Sequence, residues 1–133
     1  FAGVAEAAQK PFVASHSNSR AVCPHRRNLT DEQFGEIVRR GGIVGINLYP
    51  EFITGGSDAS LDDIYRHLEH FWSLGGEKIT AIGTDFDGAE MPSSIPDLAH
   101  LERLAEYLLG KNTKESLIDD LFFNNAYNFF VGL

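Results

Sequence analysis

The sequence predicts an α/β fold built around a parallel sheet, on three observations. A strand–loop–helix unit recurs three times along the 133 residues. Each candidate strand is a short apolar run. The first two candidate helices open on a capping residue and close on a glycine pair. Strands that alternate with amphipathic helices are the signature of βαβ units.

The elements follow in order. Phe12-Val13-Ala14-Ser15, after Pro11, is a short apolar run expected to form a buried strand. Residues 17–29 form a polar loop holding Pro24. Thr30 with Gln33 has capping-box spacing, Phe34, Ile37 and Val38 give the next helix its apolar face, and Gly41-Gly42 ends it. Ile43 to Leu48 is the second strand, and Tyr49 to Ala59 a Gly- and Ser-containing loop. Ser60 with Asp63 starts a long helix in which Leu61, Ile64, Tyr65, Leu68, Phe71 and Trp72 keep helical spacing, and Gly75-Gly76 stops it. Lys78 to Gly83 is the third strand and runs into Thr84-Asp85-Phe86-Asp87-Gly88. Leu98, Leu101, Leu104, Ala105 and Leu108 mark a further helix. Thr113 is expected to cap a last one, with Leu117, Ile118, Leu121 and Phe122 as its face. The opening, Phe1 to Lys10, reads as the end of an Ala-rich helix, so the chain is expected to be a piece of a longer protein: one partial domain over residues 1–133.

Composition narrows the function classes. With 43% hydrophobic residues the chain has enough apolar content for one core. A net charge of −8 and a pI near 5.0 argue against nucleic-acid binding and against a polybasic membrane-surface role. Cys23 is the single cysteine, so no internal disulfide forms. The lack of paired cysteines fits a reducing cytoplasm, the expected location. No apolar run reaches the roughly 20 residues that span a bilayer.

In parallel α/β folds, ligands bind beyond the carboxyl ends of the strands. After the first strand come His16, Ser17 and Asn18; after the second, Asn47 and Tyr49; after the third, Asp85 and Asp87. Three polar strand ends on one rim suggest an active site. His16 is either a backbone-bonded histidine or a metal ligand, since neutral imidazole is the commonest such ligand. One His is short of a hydrolytic zinc centre, which needs about three protein ligands. Among His25, Arg26 and Arg27, one arginine could clamp a carboxylate in bidentate fashion, although a solvated basic patch fits Arg26 well. His67 and His70 fall off the apolar stripe of the long helix and are read as surface residues; His100 also sits on a helix and is read as carrying no function. Cys23 reads as a small buried residue rather than a nucleophile. Asn28-Leu29-Thr30 matches a glycosylation sequon, which without a secretion signal carries little weight.

Asp85-x-Asp87-Gly88 after an apolar strand also admits a phosphatase of the haloacid-dehalogenase type, with Asp85 as nucleophile and Asp87 as acid/base. That motif usually opens its domain, whereas here it stands late in the chain, and no later Lys and Asp-Asp pair ends another strand.

Taken together, the motifs resemble another family more closely. Phe12 to Cys23, followed by His25-Arg26-Arg27-Asn28, is similar to the zinc-dependent membrane (renal) dipeptidases, in which a strand ends in S-H-S and an R-N pair follows. Asn47-Leu48-Tyr49 resembles the family's N-x-Y strand end, and Gly83-Thr84-Asp85-Phe86-Asp87-Gly88 its G-x-D-F-D-G. The resemblance runs in order through nearly the whole chain. It implies a TIM-like (β/α)8 barrel with a two-zinc site at its C-terminal face, of which this chain would be the C-terminal part, about three βα units with closing helices. It further implies dipeptide hydrolysis, His16 as a zinc ligand, Arg27 as the arginine that holds substrate, and Asp85 as the acidic residue that passes a proton to the leaving amine.

The departures bound that implication. The family's H-x-D zinc pair, its bridging Glu and a further His ligand are absent, so the segment is expected to be inactive alone, or to be a scaffold or binding module that keeps the fold without a full metal site. The last helix, around Asn124-Asn125-Ala126-Tyr127-Asn128, lacks an expected basic residue. Three parallel strands alone leave two open edges. The expected partners are therefore the N-terminal remainder of the barrel, or a second copy of the chain, together with a dipeptide substrate.

Overall fold

Three parallel strands, β1 (Val13–Ala14), β2 (Ile43–Ile46) and β3 (Thr80–Ile82), lie side by side in chain order. The computed structural model describes residues 13–14, 17–83 and 90–132. Val13 pairs with Ile43, while Val44 sits between Ala14 and Thr80. Parallel neighbours need a long crossover, and α1 (Asp31–Arg39) and α3 (Leu61–Ser73) supply it. A short helix, α2 (Pro50–Ile53), lies within the segment expected to be loop. After β3 come a 3₁₀ turn (Leu98–His100), α4 (Glu102–Gly110), α5 (Glu115–Asp119), a π-helical turn (Asp120–Asn124) and α6 (Asn125–Val131).

Both long helices start as their sequences dictate. The Gln33 N–H donates to Thr30 Oγ1 at 3.2 Å and the Thr30 N–H returns to Gln33 Oε1 at 3.0 Å. Ser60 and Asp63 repeat the exchange at 3.1 and 2.9 Å. Each box satisfies two amides that the first helical turn would otherwise leave orphaned. Gly75 ends α3 at φ +85°, a backbone region that strains residues with a Cβ.

The core lies between the sheet and these two helices. Val44, Ile46 and Leu48 alternate onto one side and pack with Phe34, Ile37, Ile64, Leu68 and Phe71. The Phe34 and Phe71 rings stack with centroids 4.0 Å apart. Gly76 passes so close beneath them that a Cβ there would meet the Phe34 ring and lie 2.7 Å from the Phe71 carbonyl.

The opposite side of the sheet is built differently. Ile43, Gly45 and Ala81, together with Val13, Ala126 and Phe130, line an open cavity of about 220 Å³. The Asn125 amide fastens α6 beside this face by donating to the Glu77 and Thr80 carbonyls, both at 2.8 Å. Lys78 and Asp120 add an ion pair at 2.7 Å.

Several local expectations are revised. Val13 is 42% exposed because it faces the side of the sheet that α6 covers only in part, so the expected buried strand is buried only in part; Phe12 and Ser15 lie outside the described residues. β2 ends at Ile46 rather than Leu48, because a side chain, not a strand, takes up the Asn47 backbone. β3 starts at Thr80, because the Ile79 and Thr80 amides turn back to the Gly76 carbonyl. Asp97, not part of the expected signal, accepts from the His100 N–H and opens the 3₁₀ turn, leaving Leu98 exposed. Thr113 does not cap the last helical stretch: its N–H closes the end of α4 on the Leu108 carbonyl, and Lys114 takes the cap position without a side-chain bond.

Candidate functional site

The rim suggested by the sequence is the edge where β1, β2 and β3 all end, and two ladder-like bonds extend the sheet towards it. The Ser17 N–H donates to the Gly45 carbonyl at 2.7 Å, and the Gly83 N–H to the Ile46 carbonyl at 2.9 Å. His16, Asp85 and Asp87 lie outside the described residues. Arg27 is described, as are the segments that position it.

Buried amides tie the loops after β1 and β2 together. Asn18 is fully buried: its Nδ2 donates to the Asn47 carbonyl and its Oδ1 accepts from the Asn47 N–H, both at 2.7 Å. This side chain imitates a strand, which is why β2 needs no further ladder at Asn47. The Asn47 Oδ1 in turn accepts from the Tyr49 N–H at 2.8 Å. Asn28 donates to the Cys23 and Phe52 carbonyls at 3.0 and 2.8 Å. With its amide so engaged and 2% exposed, it is no glycan acceptor.

The loop bearing Arg27 closes on itself. Ser19 bridges in parallel to Leu29. The Arg20 N–H donates to the Leu29 carbonyl and the Leu29 N–H to the Asn18 carbonyl, each at 2.8 Å. The Arg20 guanidinium grips the carbonyls on either side of Arg27, with Nη2 at 2.7 Å from Arg26 O and Nε at 3.0 Å from Asn28 O. Sequence reasoning weighed the basic triplet and missed this arginine, which shapes the loop.

At the exposed end, Phe52 organises the polar groups. The Arg27 guanidinium lies 5.9 Å from its ring centroid, the His25 ring 4.7 Å away, and Tyr49 meets it edge-on at 5.0 Å. The His25 Nδ1 accepts from the Arg27 N–H at 3.1 Å, while its Nε2 is 3.5 Å from Glu51. The hydrogen bond to Glu51, with the charges of Glu51 and Glu90, holds the Tyr49 phenol above its ordinary pKa. Arg26 is exposed, as expected. Beyond β3, Asp58 fastens the returning chain by accepting from the Ser93 N–H at 2.7 Å and the Ser93 hydroxyl at 2.5 Å. These bonds lower its pKa.

One histidine expectation holds in part and one is overturned. His70 is half-buried and pairs with Asp31 at 2.8 Å; His100 pairs with Asp97 at 2.6 Å. His67 is not a surface residue: it is 0% exposed, with both ring nitrogens bonded. It lies off the apolar stripe because the surface it meets is polar backbone rather than aliphatic core. Cys23 is buried, as expected, and burial raises its thiol pKa. Among the described residues, no three His, Cys, Asp or Glu side chains gather where they could hold a metal ion.

The family model for membrane dipeptidases, peptidase family M19, matches residues 1–130. The chain belongs to this family. It is 38% identical over 129 residues to an uncharacterized protein from a pqqA 5′ region of Klebsiella pneumoniae, covering 94% of this chain and 48% of that one. It is 34% identical over 114 residues to the dipeptidase aclJ of Aspergillus oryzae, covering 84% of this chain and 26% of that one. Its fold matches the crystal structure of a metallo peptidase from Rhodobacter sphaeroides bound to a phosphinate mimic of the dipeptide L-Ala-D-Ala. There the TM-score is 0.90 and the identity 35%, over 95% of this chain and 37% of the other. The chain thus spans about half the length of these relatives or less. Its strands and helices correspond to the C-terminal portion of the TIM-like family barrel, and the family assignment takes the place of the phosphatase reading of Asp85-x-Asp87-Gly88. No helix among the described residues is long and apolar enough to cross a membrane.

Proposed function

We propose that this chain is part of a zinc-dependent dipeptidase of family M19. In this reading His16 is a zinc ligand, Arg27 orients the dipeptide, and Asp85 carries the proton to the leaving amine. One observation carries it: the family match runs through all three segments, and because their strands are parallel and adjacent, those segments leave the sheet at a single edge. Such an edge is where parallel α/β folds bind ligands.

When bound, two zinc ions would supply a hydroxide at neutral pH and polarise the scissile carbonyl. His16 is one donor, and the described residues add no cluster of three. In this reading the chain contributes part of a ligand set, and residues 1–133 act as one partial domain that the rest of the barrel completes. Among the described residues, the Arg27 charge meets the Phe52 ring rather than a carboxylate, which suits a fork that is to receive the carboxylate of a substrate. Cleaving a peptide C–N bond expels an amine that must gain a proton, and Asp85 would deliver it.

The test is steady-state hydrolysis of a dipeptide panel by the zinc-loaded full-length protein. Asp85→Asn should lower kcat by about 100-fold or more with little change in KM. Arg27→Ala should act mainly on KM. A fully metallated wild type that cleaves no dipeptide overturns the reading.

A further inference from the structure

His67 is the buried titratable group that the proposed chemistry leaves unused. Its Nδ1 lies 3.1 Å from the Ser19 backbone nitrogen, and its Nε2 lies 2.9 Å from the Ile53 carbonyl oxygen. A backbone N–H only donates, so Nδ1 must be bare. A carbonyl only accepts, so Nε2 must carry the proton. The ring is therefore the neutral Nε2–H tautomer, and its two bonds join segments far apart in the chain. Ser19 stands three residues after His16 and is bridged to Leu29, two residues after Arg27. Ile53 closes α2, four residues after Tyr49.

We propose that His67 is a positioning residue for the candidate site: by holding the Ser19 amide and the Ile53 carbonyl at once, it sets the loop of His16 and Arg27 against the loop of Tyr49. The proposal rests on the dipeptidase reading for its catalytic consequence. A space-filling role would be met by any residue of similar volume, whereas this one needs an acceptor and a donor at fixed positions on one ring. Side-chain amides separate the two. An Asn places its amide oxygen near the Nδ1 position, and a Gln places its amide nitrogen near the Nε2 position. Of the two bonds, the one to Ser19 reaches the site-bearing loop directly.

The experiment compares His67→Asn, His67→Gln and His67→Phe with wild type in the full-length protein. Dipeptide kinetics are measured well below the lowest Tm, and amide hydrogen exchange is measured at Ser19 and from Arg27 to Leu29. Misplacing a positioned loop costs about 100-fold in kcat/KM. That loss is expected in His67→Gln and His67→Phe, with His67→Asn recovering most of the activity. Exchange at Ser19 should be about tenfold faster wherever the Nδ1-position acceptor is gone. Unchanged kinetics in all three variants, or equal recovery by Asn and Gln, overturn the proposal. If the wild type cleaves no dipeptide, the dipeptidase reading fails separately and exchange decides alone: unaltered Ser19 protection in His67→Phe, or in His67→Gln where the Phe variant does not fold, overturns the positioning role.

Discussion

The two sides of the sheet carry similar residues and reach different outcomes. Towards α1 and α3, Val44, Ile46, Leu48, Phe34 and Leu68 are all 0% exposed. Towards α6, Ile43 and Ala81 are buried, but Val13, Phe130 and Val131 remain 42%, 57% and 66% exposed, and Phe123 and Tyr127 extend the apolar stripe. Parallel sheets are ordinarily covered on both faces. Among the described residues one face has its full helical layer, supplied by the crossovers of the sheet itself, and the other has a single terminal helix. The difference teaches that burial follows from layering, not from residue type. The stability of the described segment is therefore concentrated on the crossover side.

Substitutions should break that contrast in graded fashion. Phe71→Ala removes one ring of the Phe34–Phe71 stack and should cost about 4 kcal/mol of unfolding free energy, measured by urea titration. Gly76→Ala forces a methyl group against that stack and should cost about 2 kcal/mol, with the Phe34 ring displaced in a crystal structure of the variant. His67 gives the covered side a pH dependence. Burial holds its folded pKa below the ordinary histidine value, an effect the neighbouring His70 reinforces and Asp63 and the bond to Ile53 oppose. Below the ordinary value the unfolded chain takes up a proton that the folded chain refuses, so stability falls with acidification until the depressed folded pKa is reached. The slope is at most about 1.4 kcal/mol per pH unit. His67→Phe should flatten it, as read from Tm against pH. Thr30→Ala removes one half of the α1 capping box and should cost about 1 kcal/mol. On the open side, Phe130→Ser should move stability by less than about 0.5 kcal/mol. A loss comparable to that of Phe71→Ala would mean that α6 is as deeply packed as α3.

Much of the fold was legible locally. The boxes at Thr30 and Ser60, the glycine stop after α3 and the period of Leu61, Ile64, Leu68 and Phe71 each involve residues within a few positions of one another. Strand ends were harder to read, because Asn18 substitutes for a strand at Asn47 from 29 residues away. The cap at Lys114 was missed because Thr113 is spent closing the helix before it.

The site divides in the same way. The sequence by itself determined the parallel α/β class, and its motifs carried the resemblance that named the family and the candidates His16, Arg27 and Asp85. Only the tertiary structure decided that Arg20 holds the carbonyls flanking Arg27, that Phe52 gathers His25, Arg27 and Tyr49, and that His67 is buried. Its partner Ser19 lies 48 residues away in the chain. A helical wheel assigns an off-stripe histidine to solvent because it registers side-chain polarity alone. Burial of His67 becomes favourable only when packing brings a backbone donor and a backbone acceptor to its two nitrogens, and those groups leave no trace in the residue pattern.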